Sequence, residues 1–166
     1  MDVAIRKMSI RDYEEVVDLW TSIPGLGVHL AYTDSRESIK RYLVRNPGLS
    51  FVALSRGRLI GTVLGGHDGR RGVGAQRRPP MSHFANEARP ASDRVQNVGG
   101  SDPKYRLQGI GRKLVEHCLK TLAKVGIYKC YIFVFSNNTK AKQFWKKIGW
   151  SDYKGLDAMF RFVKPL

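Results

Sequence analysis

The chain has 166 residues, a length that suits one domain with a hydrophobic core and is too short for two. Apolar residues make up 42% of it, as in globular proteins, and no apolar run approaches the ~20 residues of a membrane span. Its 29 Lys and Arg against 14 Asp and Glu give a net charge of +15, which attracts polyanions but does not predict a fold. Because the first residues lack the apolar stretch of a signal peptide, we expect a cytoplasmic protein.

The two cysteines, Cys118 and Cys130, are too few to build a disulfide framework or a zinc site by themselves. Cys118 shares a helical stripe with Leu114 and Leu122, and Cys130 lies in a run of strand-forming residues. We therefore predict that both thiols are buried as small apolar groups and that the protein holds no metal.

A strand and a helix open the predicted fold. Residues 3–8 are typical of a strand, and Ser9 offers an N-cap that Asp12, three positions later, completes as a capping box. The helix should end before Pro24, because proline cannot continue it. A loop rich in glycine and aromatic residues follows at 24–33.

A second helix and a hairpin come next. Either Asp34 or Ser35 caps the helix, which stops at the Asn-Pro-Gly sequence of 46–48. Residues 50–54 and 59–64 are separated by a short polar turn, which predicts two antiparallel strands.

The pattern is lost after a glycine-rich run at 65–72. Between 73 and 101 the sequence has paired prolines, scattered arginines and no period-2 alternation. We find no strand there, and we predict an irregular or disordered insertion within a single domain of residues 1–166.

Regular periodicity returns after this segment. Gly126 follows an apolar helical stripe as a C′ residue, and Asn138 and Gly149 mark the start and end of a later helix. The predicted order is helix, strand, helix and strand, at 111–122, 128–135, 138–149 and 157–163.

The start of the first of these helices concentrates positive charge. Arg106, Arg112 and Lys113 surround Gly109 and Gly111, at the helix end where the macrodipole is already positive and cations are disfavoured. Small glycines and the free N–H groups of a first turn suit a phosphate or pyrophosphate. A plain glycine turn with solvated charges is the alternative interpretation.

Two nucleotide-binding motifs are excluded. A P-loop requires Gly-Lys-Ser/Thr, but Gly111 is followed by Arg112 and Lys113. A dinucleotide fingerprint requires a third glycine where Leu114 stands and an acidic residue about 20 positions further on, and 128–135 contains none.

Residues 106–111, Arg-Leu-Gln-Gly-Ile-Gly, resemble the Arg/Gln-x-x-Gly-x-Gly/Ala motif of the GNAT superfamily of acetyl-CoA-dependent N-acetyltransferases. Asn138, Ala141 and Trp145, before a Gly-Trp pair, resemble its second motif, an Asn-x-x-Ala-x-x-x-Tyr helix that ends in Gly-aromatic. Two motifs in the right order are much more specific than either alone. The sequence of residues 65–72, Gly-Gly-His-Asp-Gly-Arg-Arg-Gly, resembles a Gly-Gly-x-Asp-Gly-x-Arg-Gly run. That run is found in a bacterial-type GNAT subgroup related to ribosomal-protein alanine acetyltransferases.

The resemblance implies an α/β (α+β) GNAT fold, in which helices flank a mixed, twisted central sheet. It also implies that acetyl-CoA lies between two splayed strands and that its acetyl group passes directly to a primary amine, without an acyl-enzyme. The acceptor would be a small molecule, a protein N-terminus or a lysine. The implied coenzyme contacts are Arg106, Leu107, Gln108, Gly109, Ile110, Gly111, Arg112, Asn138 and Trp145.

Trp145 stands where the superfamily usually has a tyrosine that protonates the leaving thiolate. An indole N–H donates a hydrogen bond but does not titrate, so roles in catalysis and in the core both stay open. His29 and Tyr32 lie in the loop that commonly borders the acceptor site in such folds, and they are candidate substrate contacts or parts of a packed loop. No base is singled out among Glu87, Asp93, His67, Asp68, Tyr105 and a water chain.

Two other functions stay open. A chain whose altered middle has removed the catalytic strand would be unstable or bind coenzyme A without catalysis. A basic protein that docks on ribosomes or nucleic acid would use its arginines, although the sequence shows no interleaving of basic and aromatic residues. The sequence does not indicate an oligomeric state.

Overall fold

The structure is a computed structural model of the chain. It describes residues 2–23, 28–68, 72–74, 105, 108–132, 134 and 138–152. The strands of that part are β1 (Ala4–Lys7), β2 (Phe51–Ser55), β3 (Arg58–Val63), β4 (Gly65–His67), β5 (Gly72–Gly74) and β6 (Cys130–Tyr131). The helices are α1 (Tyr13–Thr21), α2 (Arg36–Arg45), α3 (Ile110–Lys124) and α4 (Thr139–Lys147), and a short 3-10 helix, Ile10–Asp12, leads into α1.

Capping residues start the helices close to where the sequence predicts. Ser9 and Asp12 form the expected capping box, although the turn that they cap is the 3-10 helix before α1. Ser35, rather than Asp34, caps α2 with its hydroxyl group. Asn138 caps α4 through its side-chain oxygen. Local hydrogen bonding therefore confirms the predicted helix starts.

Two three-stranded sheets form the centre of the described structure. The first has the antiparallel order β1-β2-β3, and Arg56 and Gly57 make the β2–β3 turn with positive φ at both positions, as a tight hairpin requires. In the second sheet β5 lies between β4 and β6, antiparallel to β4 and parallel to β6. The second sheet is therefore mixed, as the resemblance implies.

Strand β5 corrects one prediction. The sequence shows no strand after Gly72, yet Gly72 pairs with both His67 and Cys130, and Val73 pairs with Tyr131. Val73 is the one residue of this Gly-Val-Gly strand with a side chain larger than a hydrogen atom. The strand therefore shows no alternation of apolar and polar residues by which its sequence could be recognised. The remainder of the segment up to 101 lies outside the described residues, as does the predicted last strand at 157–163.

Strand β2 separates two hydrophobic clusters. Val52 packs in a cluster with residues of α1 and α2, whereas Phe51 and Ala53 pack in a cluster with residues of α3 and α4. Successive side chains of a strand point to opposite faces, so the two pairs of helices cover opposite faces of the sheet. A buried tryptophan lies in each cluster, Trp20 in the first and Trp145 in the second.

The strand predicted at 128–135 begins later than expected. Gly126, with a φ of 79°, ends α3, and the N–H of Ile127 donates to the carbonyl oxygen of Leu122 over 3.0 Å. This turn buries Ile127 and leaves Tyr128 85% exposed before β6 starts. The sequence interpretation of Tyr128 as the start of a buried central strand is therefore wrong.

The two thiols differ in burial. Cys118 is buried as predicted, and loss of solvation raises its pKa to about 12. Cys130 is half-buried, and its pKa is raised for the same reason. Cys118 is therefore a protonated, apolar group of the core at neutral pH.

Candidate active site

Helix α3 begins at a position that favours glycine. Gly109 is the N-cap residue, and its φ of 77° lies in the left-handed region that other residues rarely adopt. A Cβ atom built on Gly109 has no atom of the described residues within 4 Å. No described residue therefore occupies the space on this side of the backbone at the start of α3.

The first turn of α3 leaves backbone donors available. Its first helical hydrogen bond runs from the N–H of Lys113 to the carbonyl oxygen of Gly109 over 3.0 Å, so the N–H groups of Ile110, Gly111 and Arg112 precede it. Within the described residues, no side chain caps this end, and the first turn contains no acid. No acid of the described part of the chain thus lies in the first turn, at the positive end of the helix dipole.

Gly111 has a different role from Gly109. A Cβ atom on Gly111 would come within 3.2 Å of Cζ of Phe144. The missing side chain therefore lets α4 pack closely against the start of α3. The sequence predicts that both glycines let a ligand approach, whereas the close contact with Phe144 explains Gly111 by helix packing.

The predicted basic residues near this turn are only partly described. Arg112 is exposed, and its Nε donates to Oε1 of Glu116 over 2.8 Å. This hydrogen bond favours the carboxylate and lowers the pKa of Glu116. Gln108 is exposed, and Ile110 is buried in the core. Arg106 and Leu107 lie outside the described residues.

The second predicted motif contributes a cap and a buried ring. The Oδ1 atom of Asn138 accepts from the N–H of Ala141 over 3.0 Å, so its amide NH₂ is the part that can donate to a ligand. The Trp145 ring lies edge-to-face against Phe144 and Trp150, with centroids 5.1 and 5.0 Å apart. With 5% of its surface exposed, Trp145 is part of the aromatic core.

Two glycines of β4 hold the second sheet close to helices on both faces. A side chain on Gly65 would collide with Sγ of Cys118 in α3, and one on Gly66 would approach Oη of Tyr42 in α2 within 2.7 Å. The side chain of Asn46 accepts from the N–H of His67 over 3.1 Å and fixes the end of β4. No packing role is predicted for Gly65 and Gly66 from the sequence, although a Gly-Gly pair at a strand indicates close backbone approach.

Comparison with known proteins decides the family. The model of the acetyltransferase (GNAT) family matches residues 13–150, which is most of the chain. This protein belongs to the acetyltransferase (GNAT) family. The family assignment and the mixed α/β fold predicted from the sequence are therefore confirmed.

Individual relatives of this GNAT protein are distant in sequence. An acetyltransferase of Sodalis glossinidius is 26% identical over 162 residues, which cover 98% of this chain and 94% of that protein. The structure of PaiA N-acetyltransferase from Thermoplasma acidophilum, in complex with coenzyme A, has a TM-score of 0.66 at 19% identity and 91% coverage of both chains. A ribosomal-protein-alanine N-acetyltransferase from Brucella melitensis has a TM-score of 0.62 at 15% identity, with 98% and 100% coverage.

The candidate acceptor residues of this GNAT protein lie on the other face of the sheet. The N–H of His29 donates to Oδ2 of Asp34 over 2.8 Å, and the neighbouring Val28 packs against the cluster of α1 and α2. Tyr32 is 52% exposed, and its carbonyl oxygen accepts from the hydroxyl of Ser38 over 2.7 Å. Gly109 starts a helix of the opposite cluster, so the loop and the start of α3 are separate features of the fold.

The candidate bases are also only partly described. His67 is half-buried at the end of β4, Asp68 after it is exposed, and Tyr105 packs against the cluster of α3 and α4. Glu87 and Asp93 lie outside the described residues. Across the described ranges, no helix is long and apolar enough to cross a membrane, and no three of His, Cys, Asp and Glu are grouped as a metal site.

Proposed function

We propose that this GNAT protein binds acetyl-CoA at the start of α3 and transfers the acetyl group to a primary amine. The open first turn of α3 carries the proposal, since it presents three N–H donors at a positive helix end. A diphosphate supplies the negative charge and acceptor oxygens that this end lacks among the described residues. The proposed coenzyme contacts are Arg106, Leu107, Gln108, Gly109, Ile110, Gly111, Arg112 and Asn138.

The residues of the site fit a coenzyme of this kind. Gly109 leaves its side of the backbone open, and Arg112 adds positive charge beside the turn. Asn138 keeps its amide NH₂ for an acceptor on the pantetheine arm while its oxygen caps α4. One helix start and one helix cap thus offer donors to two parts of an extended ligand, its diphosphate and its pantetheine arm.

When bound, acetyl-CoA supplies an activated thioester that a neutral primary amine attacks directly. The protein then contributes mainly position, by holding the thioester and the amine together, and backbone N–H groups that stabilise negative charge on the carbonyl oxygen. Strand β5, parallel to β6, is the proposed source of such groups.

Trp145 has a packing role in this proposal. Its ring is enclosed by Phe144 and Trp150, and an indole cannot deliver a proton at neutral pH. A thiol with a pKa near ~8.5 can leave as thiolate and take its proton from water. Catalysis therefore proceeds without a titrating acid at this position.

The proposal also covers the organisation and setting of the protein. Residues 1–166 form a single cytoplasmic domain that requires no metal, and the insertion predicted at 73–101 begins only after Gly74, the last residue of β5. His29 and Tyr32 border the acceptor amine, which belongs to a small molecule, a protein N-terminus or a lysine. Their exposed or half-buried position in the loop before α2 supports this role.

A thiol-release assay over a panel of amines tests the activity. The panel contains a polyamine, an aminoglycoside, a lysine peptide and a peptide with N-terminal alanine, each with acetyl-CoA. We expect amine-dependent release of coenzyme A thiol by the wild type and none by Gly109→Trp. Gly57→Trp is the matched control, since Gly57 also has a φ of 77° and a Cβ atom added to it would have no described atom within 4 Å. Coenzyme binding without release for any amine would contradict catalysis and leave a non-catalytic relative.

A further inference from the structure

We infer that the outer face of α3 and the turn after it bind single-stranded nucleic acid, a function separate from acetyl transfer. The surface, named here the lysine–tyrosine patch, consists of His117, Lys120, Lys124, Tyr128 and Lys129. All five side chains are exposed. Their charge, spacing and one uncovered ring identify the class of ligand.

The helical part of the patch is a continuous stripe. His117, Lys120 and Lys124 are spaced by three and four residues, so they share one face of α3. Leu114, Cys118 and Leu122 define the opposite, buried face. Lys120 and Lys124 face solvent along about 6 Å of helix, and His117 forms the edge of the stripe, where its ring lies against Phe51 of the core with the centroids 5.9 Å apart.

Positive charge exceeds negative charge on this stripe. Glu116 is the one acid in α3, and its carboxylate accepts from Nε of Arg112 and is also attracted to Lys120 and His117. This single carboxylate leaves the stripe net positive, and Lys124, two turns beyond Glu116, can contact an external polyanion such as a phosphate backbone.

Tyr128 distinguishes the patch from a simple basic surface. Its side chain is 85% exposed, and it stands between Lys124 and Lys129 in sequence. Lys129 also lies against the face of Tyr131, with Nζ 5.5 Å from the ring centroid. An exposed ring among cations is what single-strand binders use, because bases stack on the ring while phosphates contact the lysines.

Membrane surfaces and acidic proteins explain the patch less well. A membrane-binding helix inserts an apolar face, whereas the apolar face of α3 is buried in the core. An acidic protein would use the lysines but would not require the exposed ring. The combination favours single-stranded nucleic acid.

The patch is far enough from the start of α3 to be tested independently. The helix has 15 residues and is therefore about 22 Å long, with Gly109 before one end and Tyr128 beyond the other. Variants at Lys124 or Tyr128 should therefore leave acetyl-CoA affinity unchanged.

Fluorescence anisotropy of the intact chain with a labelled oligouridylate 12-mer tests the inference. We expect Tyr128→Ala to weaken binding about tenfold, the size of one base–aromatic stack. The Lys120→Glu, Lys124→Glu pair should weaken it further and make the slope of log affinity against log salt shallower by about 1.4. The charge-matched control is the Arg41→Glu, Arg45→Glu pair, exposed on α2, for which we expect less than a threefold loss.

Three results would overturn the inference. Equal losses for the α2 and α3 pairs would show that overall charge alone attracts RNA. Unchanged RNA affinity of Tyr128→Ala would show that no base stacks on the ring. Tighter binding to vesicles of anionic lipid than to the oligonucleotide would assign the patch to a membrane. Circular dichroism and acetyl-CoA titration of each variant verify that the fold is retained.

Discussion

The two ends of the described chain manage charge in different ways. Residues 2–68 contain nine basic residues (Lys and Arg) and eight acidic residues (Asp and Glu). Residues 105–152 contain ten basic residues and two acidic residues. In the first region acids occupy the helix starts, with Glu14 and Glu15 in α1 and Glu37 in α2. In the second region neither α3 nor α4 has an acid in its first turn.

Burial distinguishes one ion pair of the first region. Arg6 contacts Asp12 over 2.6 Å, and the Asp12 side chain is 8% exposed, so this pair is part of the fold. Arg112 contacts Glu116 on the surface, where both side chains are 46% exposed or more. Exposed ion pairs occur in both regions, Arg36 with Glu14 in the first and Lys146 with Asp152 in the second, so the regions differ in the buried Arg6–Asp12 pair and in the excess of positive charge.

The largest expected effect concerns the buried tryptophan of each region. We expect the two cores to contribute equally to stability, although the two regions differ in charge. Trp20→Ala and Trp145→Ala each remove a ring that is at least nine-tenths buried, and each should lower the free energy of unfolding by about 3–5 kcal/mol. Urea unfolding followed by circular dichroism measures both. A Trp145→Ala protein with normal stability and no acetyl transfer would instead place Trp145 in catalysis.

A smaller effect concerns the ion pairs. Asp12→Ala removes a cap and a buried partner of Arg6, and should destabilise the protein by about 1–2 kcal/mol. Glu116→Ala, at an exposed pair, should not change stability measurably. If urea unfolding showed that the two variants lose the same free energy of unfolding, the Arg6–Asp12 and Arg112–Glu116 pairs would not differ in their contribution to stability.

The contribution of Asp12 should also depend on pH. The hydrogen bond from Arg6 lowers the pKa of Asp12 below that of an unfolded aspartate. The stabilisation is therefore fully present above about pH 3.9 and is lost as the pH falls through the folded pKa. The stability difference between wild type and Asp12→Asn should shrink in that acidic range and stay constant between pH 5 and 8.

The smallest expected effect is that of Gln108→Asp, which should raise the stability of the protein and lower its affinity for acetyl-CoA. Gln108→Asp places a carboxylate at the start of α3, which should stabilise the helix by about 0.3–1 kcal/mol. The same carboxylate should weaken acetyl-CoA binding severalfold by competing with the diphosphate. Val44→Asp adds an equal charge in the last turn of α2, where it should lower stability by a similar amount and leave acetyl-CoA binding unchanged. Tighter coenzyme binding by Gln108→Asp would contradict the proposed site.

The sequence predicts this fold well where local chemistry decides it. Ser9, Ser35, Asn138 and Gly126 act through their own hydrogen bonds or φ angles, so their positions fix helix ends without tertiary information. The Gly-rich motif at 106–111 likewise indicates the family, although only its second half lies within the described residues.

Features that depend on tertiary packing are missed. The strand Gly72–Gly74 is stabilised by β4 and β6 on either side, and no property of its own sequence reveals it. Gly111 is small because Phe144 packs on it, and Tyr128 is exposed because the turn at Gly126 buries Ile127 instead. Each outcome depends on a partner that is distant in sequence or on a change of direction of the chain.

Isothermal titration of acetyl-CoA into three proteins tests the central claim, that the open positive start of α3 binds a diphosphate. The account predicts a clear binding isotherm for the wild type and for Gly57→Trp, and at least a roughly hundredfold weaker binding for Gly109→Trp. Both substitutions place the same ring on a glycine with a φ of 77°, so backbone strain is matched. Equal affinity of Gly109→Trp and Gly57→Trp would contradict the account.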